Sequence, residues 1–315
     1  MTAPTDIMTE LTALCAGLRE VVQPFLGLHA ARAHAGEAVG GDVTFEIDEV
    51  AERYLADYMA TRLSRWAYYS EDRGLQGAVD PELVLIVDPI DGTRPAAAGL
   101  ESACVSIAAA RPAATPTMAE LVAGVVQEIK TGDLFAAERG GGLIMRRASG
   151  APLALLPSPR TTLEGLFWNT GFRGRPLMLL SRVIEELVDV SSVGGAVFEL
   201  GSATYAITRV LTGQLDAYVD IGPAIIAAHP ATEAEFRRVG NGHVLCNSPY
   251  DLAAAWLFCR EAGVPMTDAD GSSLERRPLL GSDAGFQLAC IVSGNDTLQG
   301  ELIAAVGRGI DRLAG

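Results

Sequence analysis

Apolar positions along the chain follow two periods. Met8, Leu11, Leu14, Cys15, Leu18, Val22 and Phe25 recur at three- and four-residue steps, the stripe of an amphipathic helix. A Gly-rich turn, GEAVGGD, follows, and a second helical stretch runs over residues 47–63. Residues 83–87, LVLIV, are a continuous apolar run that reads as a buried strand. It is expected to stop at Asp88-Pro89, because proline cannot continue a hydrogen-bonded ladder. Residues 103–110 and 121–128 read as further strands, and KTGDLF with ERGGGLIM as a hairpin joined by Gly-rich turns. Past Pro157 the elements alternate. Strands are predicted at 165–169, 196–200, 216–219 and 288–292, and helices at 176–187, 203–211, 249–261 and 302–313. A short hairpin closes on the turn Asp268-Ala-Asp270-Gly271. The proline-punctuated stretch 149–162 marks a boundary between an N-terminal half, 1–150, and a C-terminal half, 151–315. Sheets layered between helices are implied, an α/β architecture.

The size fits one large domain or two joined ones: 315 residues, 49% of them apolar, can build a core without staples. Thirty-nine acidic residues against twenty-four basic ones give a net charge of -15, which argues against a nucleic-acid polymer or an anionic membrane as partner. A small anionic substrate remains compatible if local cations overrule that field. Cys15, Cys104, Cys246, Cys259 and Cys290 show no metal or redox spacing and fit reduced, buried thiols of a cytoplasmic protein. The N-terminus lacks the pattern of a secretory signal, and no apolar run reaches membrane-spanning length.

The most informative stretch is LVLIVDPIDGTRP, residues 83–95. A buried strand delivers two carboxylates, Asp88 and Asp91, onto one turn followed by Gly92 and Thr93. Hard divalent cations take such oxygen ligands, and two aspartates this close repel each other unless a cation neutralises them. Gly92 leaves amides open to cradle a phosphate if a helix starts at Thr93. The plain alternative is a strand-end turn with aspartates as turn formers. Asp251 stands behind Ser248 and Pro249, an N-cap and first helical position, and so in the first turn of a helix. There it either ligates a cation or complements the helix dipole.

Several further segments share an order with that motif: Ser70-Glu71-Asp72, DVTFEIDEVAE (42–52), VAGVVQEIKTGDLFAAERGGG (122–142), LGSATYAITRVLTGQLDAYVD (200–220) and PYDLAAAWLFCREAGVPMTDADGSSL (249–274). Together they resemble the inositol monophosphatase-like family of magnesium-dependent, lithium-sensitive phosphatases. The resemblance implies a layered αβαβα sandwich, a homodimer and two or three magnesium ions per site, with manganese as a substitute. It implies that Glu71, Asp88 and the Ile90 carbonyl hold one ion and Asp88, Asp91 and Asp251 a second. Thr93, paired with Asp48, would orient the water that attacks phosphorus. The amides of Gly92 and Thr93 would bind phosphate, and Gly201, Ser202, Ala203 and Asp220 the leaving group. Hydrolysis of an inositol or sugar phosphate is the activity implied. Nucleotide phosphatase, fructose bisphosphatase or histidinol phosphatase activity, or a silent ligand-binding role, are the alternatives.

Departures from the family pattern bear on the substrate. Phe45 occupies a threonine place in DVTFEIDEVAE, where Asp48 and Glu52 keep the acidic positions. Tyr250 replaces a tryptophan, which is expected to alter packing alone. Arg94-Pro95 follows the central motif, and Arg94 either reaches a second anionic group or is solvated. Between Asp220 and Asp251 lies a long insertion carrying Arg237, Arg238 and His243, a cap, an oligomer contact or a surface excursion. ERGGGL has the wrong spacing for a nucleotide loop, and Asp268–Gly271 lacks the later ligands of a calcium loop. His29, His34, His229 and His243 show no paired ligand spacing, and Tyr205, Trp256 and Phe258 read as core.

Overall fold

The first apolar stripe is α1 (Ile7–Val22), which buries Leu11, Leu14, Cys15, Leu18 and Val22. These facts come from a computed structural model that describes residues 6–314. A hairpin of β1 (His34–Glu37) and β2 (Val43–Phe45) then leads into α2 (Glu46–Arg62), so the Gly-rich segment is the hairpin's turn. After β3 (Ala67–Ser70) and β4 (Gly74–Gly77) comes β5 (Val84–Asp91), buried at all eight positions. A short helix, α3 (Thr93–Ala98), precedes β6 (Cys104–Ala110), β7 (Leu121–Glu128), β8 (Leu134–Glu138) and β9 (Gly142–Arg146). The sheet order is β4-β3-β5-β6-β7-β8-β9, with β3 parallel to β5 and the other pairs antiparallel.

The remainder comprises β10 (Phe167–Thr170), α4 (Leu177–Ser191), β11 (Ala196–Phe198), α5 (Ala203–Leu211) and β12 (Ala217–Asp220). The insertion forms α6 (Gly222–Ala228) and α7 (Glu233–Val239), and α8 (Pro249–Ala262), β13 (Met266–Thr267), β14 (Cys290–Ser293) and α9 (Asp296–Asp311) follow. The second sheet runs β11-β10-β12-β14-β13. One core lies between α1, α2 and the seven-stranded sheet. A second joins that sheet to α5 and α8, and a third packs the five-stranded sheet against α4 and α9. The layers are therefore αβαβα. Tyr205, Trp256 and Phe258 belong to the middle core, and among the described residues no helix is long and apolar enough to cross a membrane.

Three expectations need correction. β5 does not stop at Asp88 but continues to Asp91. Asp88 pairs with Ser106 and Asp91 with Cys104, so the strand bulges between them, where the missing N–H of Pro89 leaves no rung unfilled. The last helix starts at Asp296, not near 302, because Asn295 accepts the Leu298 N–H and caps it. Residues 266–267 pair with β14, more than twenty residues on, and not with a strand directly after the turn, so Asp268–Gly271 does not close a short hairpin. β3 and β4 have no counterpart in the pattern reading.

The contact between α4 and α9 depends on Gly309. A Cβ there would lie 2.0 Å from the Val183 carbonyl oxygen, whereas one on Gly307 would meet nothing within 4 Å. Gly309→Ala is expected to destabilise by about 1–3 kcal/mol through overpacking despite alanine's better helix propensity. Gly307→Ala should gain up to about 1 kcal/mol. Urea unfolding of the two variants reads both signs.

Candidate active site

Asp88, 1% exposed, and Asp91, 4% exposed, end β5 at a cleft of about 340 Å³ walled by both halves of the chain. Asp251 enters from the first turn of α8, as its place after Ser248 and Pro249 predicts. Its Oδ2 reaches back to accept the Ser248 N–H at 2.5 Å. Oxygens of Asp88, Asp91 and Asp251 all lie within 4.8 Å of one another. Glu71 follows β3, whose parallel register sets Ser70 beside Val87 and hence Glu71 beside Asp88. It lines the same cleft.

Four carboxyl groups this close are electrostatically costly. Burial pushes Glu71 well above the usual carboxylate range, and the Asp88 charge adds to it. Burial raises Asp88 likewise, with Asp91 and Asp251 as the main charged contributors. Asp251 is raised by burial and by Asp91, and the lowering influence of Arg173 and Arg175 does not offset this. Asp91 is raised by burial although it accepts the Thr204 N–H at 2.7 Å. Oxygen donors without a balancing cation of the chain's own suit a hard divalent ion. Glu71, Asp88, Asp91, Asp251 and the Ile90 carbonyl at the cleft wall could hold it.

Thr93 stands at the start of α3, behind Gly92, whose φ of 94° and 2.5 Å separation of a built Cβ from the Ser102 oxygen require glycine. The Thr93 hydroxyl can donate to Asp48 Oδ1 at 2.9 Å or to the Ile90 carbonyl at 3.1 Å. Asp48 also accepts the Phe45 N–H at 2.8 Å, a backbone bond indifferent to the loss of a threonine there. Burial pushes Asp48 up to about 7, with the Asp72 charge also raising it. Glu52, 1% exposed and with neither carboxylate oxygen hydrogen-bonded among the described residues, is likewise pushed up to about 7 by burial.

The expected leaving-group residues line a smaller pocket that adjoins the cleft at Asp91, Gly201 and Asp251, and they are engaged with the protein. Gly201, Ser202 and Ala203 form the entry to α5, and Ser202 Oγ accepts the Tyr205 N–H at 3.0 Å. Asp220, fully buried, pairs with Arg175 at 2.6 Å. Tyr250 stacks on Tyr69 with centroids 6.4 Å apart, a packing role. Arg237 pairs with Glu233 and His243 faces Glu37 at 3.3 Å, and neither these two nor Arg238 lines the cleft. The insertion reaches the adjoining pocket instead, through Cys246 and Asn247. Sequence reading missed Arg173, Arg175 and Thr204. Thr204 binds Asp91 through its N–H and the Asp251 carbonyl through its hydroxyl at 2.6 Å. The available signal was FRGRP, two arginines on a Gly-containing turn just after a strand.

Residues 5–310 match the Inositol monophosphatase family. An inositol-1-monophosphatase of Mesorhizobium japonicum is 27% identical over 84% of this chain and 83% of its own length. A Nus factor SuhB of Xylella fastidiosa is 26% identical over 81% of this chain and 78% of its own. Among solved structures, an IMPase of Thermotoga maritima superposes with a TM-score of 0.67 at 21% identity, covering 96% of this chain and 97% of that one, which shows a shared fold.

The raised carboxyls set a pH dependence. Asp48 and Glu52 take up protons near 7 in the fold but near about 4 when unfolded, so folding binds protons between these values. Their stabilising contribution is complete below the unfolded value and lost as pH rises through 7. With divalent ions chelated, calorimetry should give a Tm several degrees higher at about pH 5.5 than at about pH 8.

Proposed function

The chain belongs to the inositol monophosphatase family, whose members are phosphoric monoester hydrolases, and from that premise we propose that it hydrolyses a small phosphomonoester with magnesium by direct attack of water. The observation that carries this reading is the convergence of Asp88, Asp91 and Asp251 within 4.8 Å, in one cleft with Glu71 and Thr93.

Magnesium held by Glu71, Asp88, Asp91, Asp251 and the Ile90 carbonyl would neutralise charge on the phosphoryl oxygens and acidify water at the site. The chain's own groups supply position and proton handling. Thr93 Oγ has one hydrogen, and when it donates to Asp48 Oδ1 the oxygen is left to accept from the cleft that Thr93 lines. A water donating to that oxygen is aimed, and Asp48, poised near 7, can take the proton passed through the threonine hydroxyl. Glu71 is a second basic group beside the cluster. The amides of Gly92 and Thr93 are the proposed phosphate cradle, with Gly201, Ser202, Ala203 and Asp220 on the leaving-group side.

A phosphate-release screen over inositol, sugar and nucleotide monoesters, with and without magnesium, tests the reading and ranks substrates. Release that needs magnesium and is inhibited by lithium is the expected outcome; none from any ester would leave a ligand-binding protein. Asp91→Asn should lower kcat at least ~100-fold. The same variant should raise the Tm of the chelated protein, because it removes one of four repelling carboxyls. A fall in both activity and Tm would instead mark Asp91 as a folding residue.

A further inference from the structure

Asp42 precedes β2 on the short hairpin, and its carboxylate is held from two sides of the cleft. Arg94, on α3, donates to Oδ1 at 3.0 Å and to Oδ2 at 3.4 Å, and Arg173, on the turn after β10, donates to Oδ2 as well. Asp42, Arg94 and Arg173 line the same cavity as Glu71, Asp88, Asp91 and Asp251. The arginine side chains remain 40% and 43% exposed, whereas that of Asp42 is 14% exposed. Two guanidinium groups thus converge on one anion and still face the open cleft. Arg94 is steadied from behind by the Phe45 ring, 5.3 Å from its carbon centre. Glu199 is the other acidic residue on this wall.

The hairpin that carries Asp42 is built to yield. It has two short strands, β1 is exposed at every position, and it belongs to neither large sheet. Its contact from Glu37 to His243 is between two exposed side chains. β2 is anchored by Phe45, buried in the core beneath α1 and α2, and by the Thr44 hydroxyl on Asp72 at 2.6 Å, so the part free to withdraw is the turn that ends at Asp42 together with the exposed β1. Converging arginines match phosphate and carboxylate oxygens equally well.

We infer that Arg94 and Arg173 form a subsite for a second anionic group of the substrate, and that Asp42 fills this subsite until such a substrate displaces it. The inference rests on the phosphatase reading of the cleft and narrows its substrate to a phosphoester carrying a further phosphate or carboxylate. A neutral leaving group leaves Asp42 in place. A charged one exchanges one ion pair for another, so the device selects among substrates more than it adds affinity.

Glucose phosphate, phosphogluconate and glucose bisphosphate form a matched set for the test. Phosphate release with magnesium gives the kcat/KM ratio of each doubly anionic ester to glucose phosphate, and calorimetric titration gives Kd without turnover. Wild type should favour at least one doubly anionic ester by ~10-fold or more. Preference for the bisphosphate identifies the second group as phosphate, and preference for phosphogluconate identifies it as carboxylate. Arg173→Ala should bring the ratio close to one. Asp42→Asn, which keeps the side chain's volume, should lower the Kd of the favoured ester severalfold, independently of how Arg173→Ala folds. A wild type without preference, a ratio unchanged in Arg173→Ala, or weaker binding in Asp42→Asn overturns the inference and leaves the phosphatase reading standing. Binding that depends on Arg173 with no phosphate released from any ester sustains the subsite and sinks the phosphatase reading.

Discussion

Mutual repulsion among Glu71, Asp88, Asp91 and Asp251 is the constraint from which the rest of the site follows. Burial raises all four, neighbouring carboxylates raise Glu71, Asp88 and Asp251 further, and the arginines nearest to Asp251 do not restore it. A fold that gathers them must either keep them protonated or balance them with cations from outside. The scaffold is arranged to bear this. Asp88 and Asp91 ride on a strand of the large sheet that is buried at every position. Asp251 is fixed by its bond to the Ser248 N–H and Asp91 by the Thr204 N–H at the start of α5. Helix starts thus steady carboxylates at the layer where the two sheets meet.

The same economy of charge shapes the outer cleft. The chain carries -15 overall, yet Arg94, Arg173 and Arg175 all stand near the carboxylate cluster. All three are paired to buried or half-buried aspartates of the protein, Arg175 to Asp220, and Arg94 and Arg173 together to Asp42. Arg175 and Asp220 form a buried wall, whereas Asp42 sits on a marginal hairpin. The difference separates a structural ion pair from one able to exchange.

Much of this was legible in the sequence because it is local. The buried strand that begins near residue 83, the helix start at Ser248-Pro249 and the helix that begins at Ala203 are each coded by a few adjacent residues, and they fell where the pattern put them. What stayed hidden depends on register or on distant contacts. The continuation of β5 past Pro89 needs a bulge that only the pairing with β6 reveals. Glu71 reaches Asp88 because β3 and β5 run parallel, and β3 gave no separate strand signal. Asp42 and Arg173 are 131 residues apart, and nothing near either foretells the other. The insertion carried visible cations, but Arg237 and His243 are spent on Glu233 and Glu37, while its contribution to the pocket adjoining the cleft comes from Cys246 and Asn247.

Anomalous diffraction from crystals soaked in manganese tests the central claim most directly. The account predicts a strong peak among Asp88, Asp91 and Asp251, with Glu71 bordering it, and loss of that peak in Asp91→Asn. Crystals that bind manganese elsewhere, or not at all, with the four carboxyl groups unmoved would contradict it.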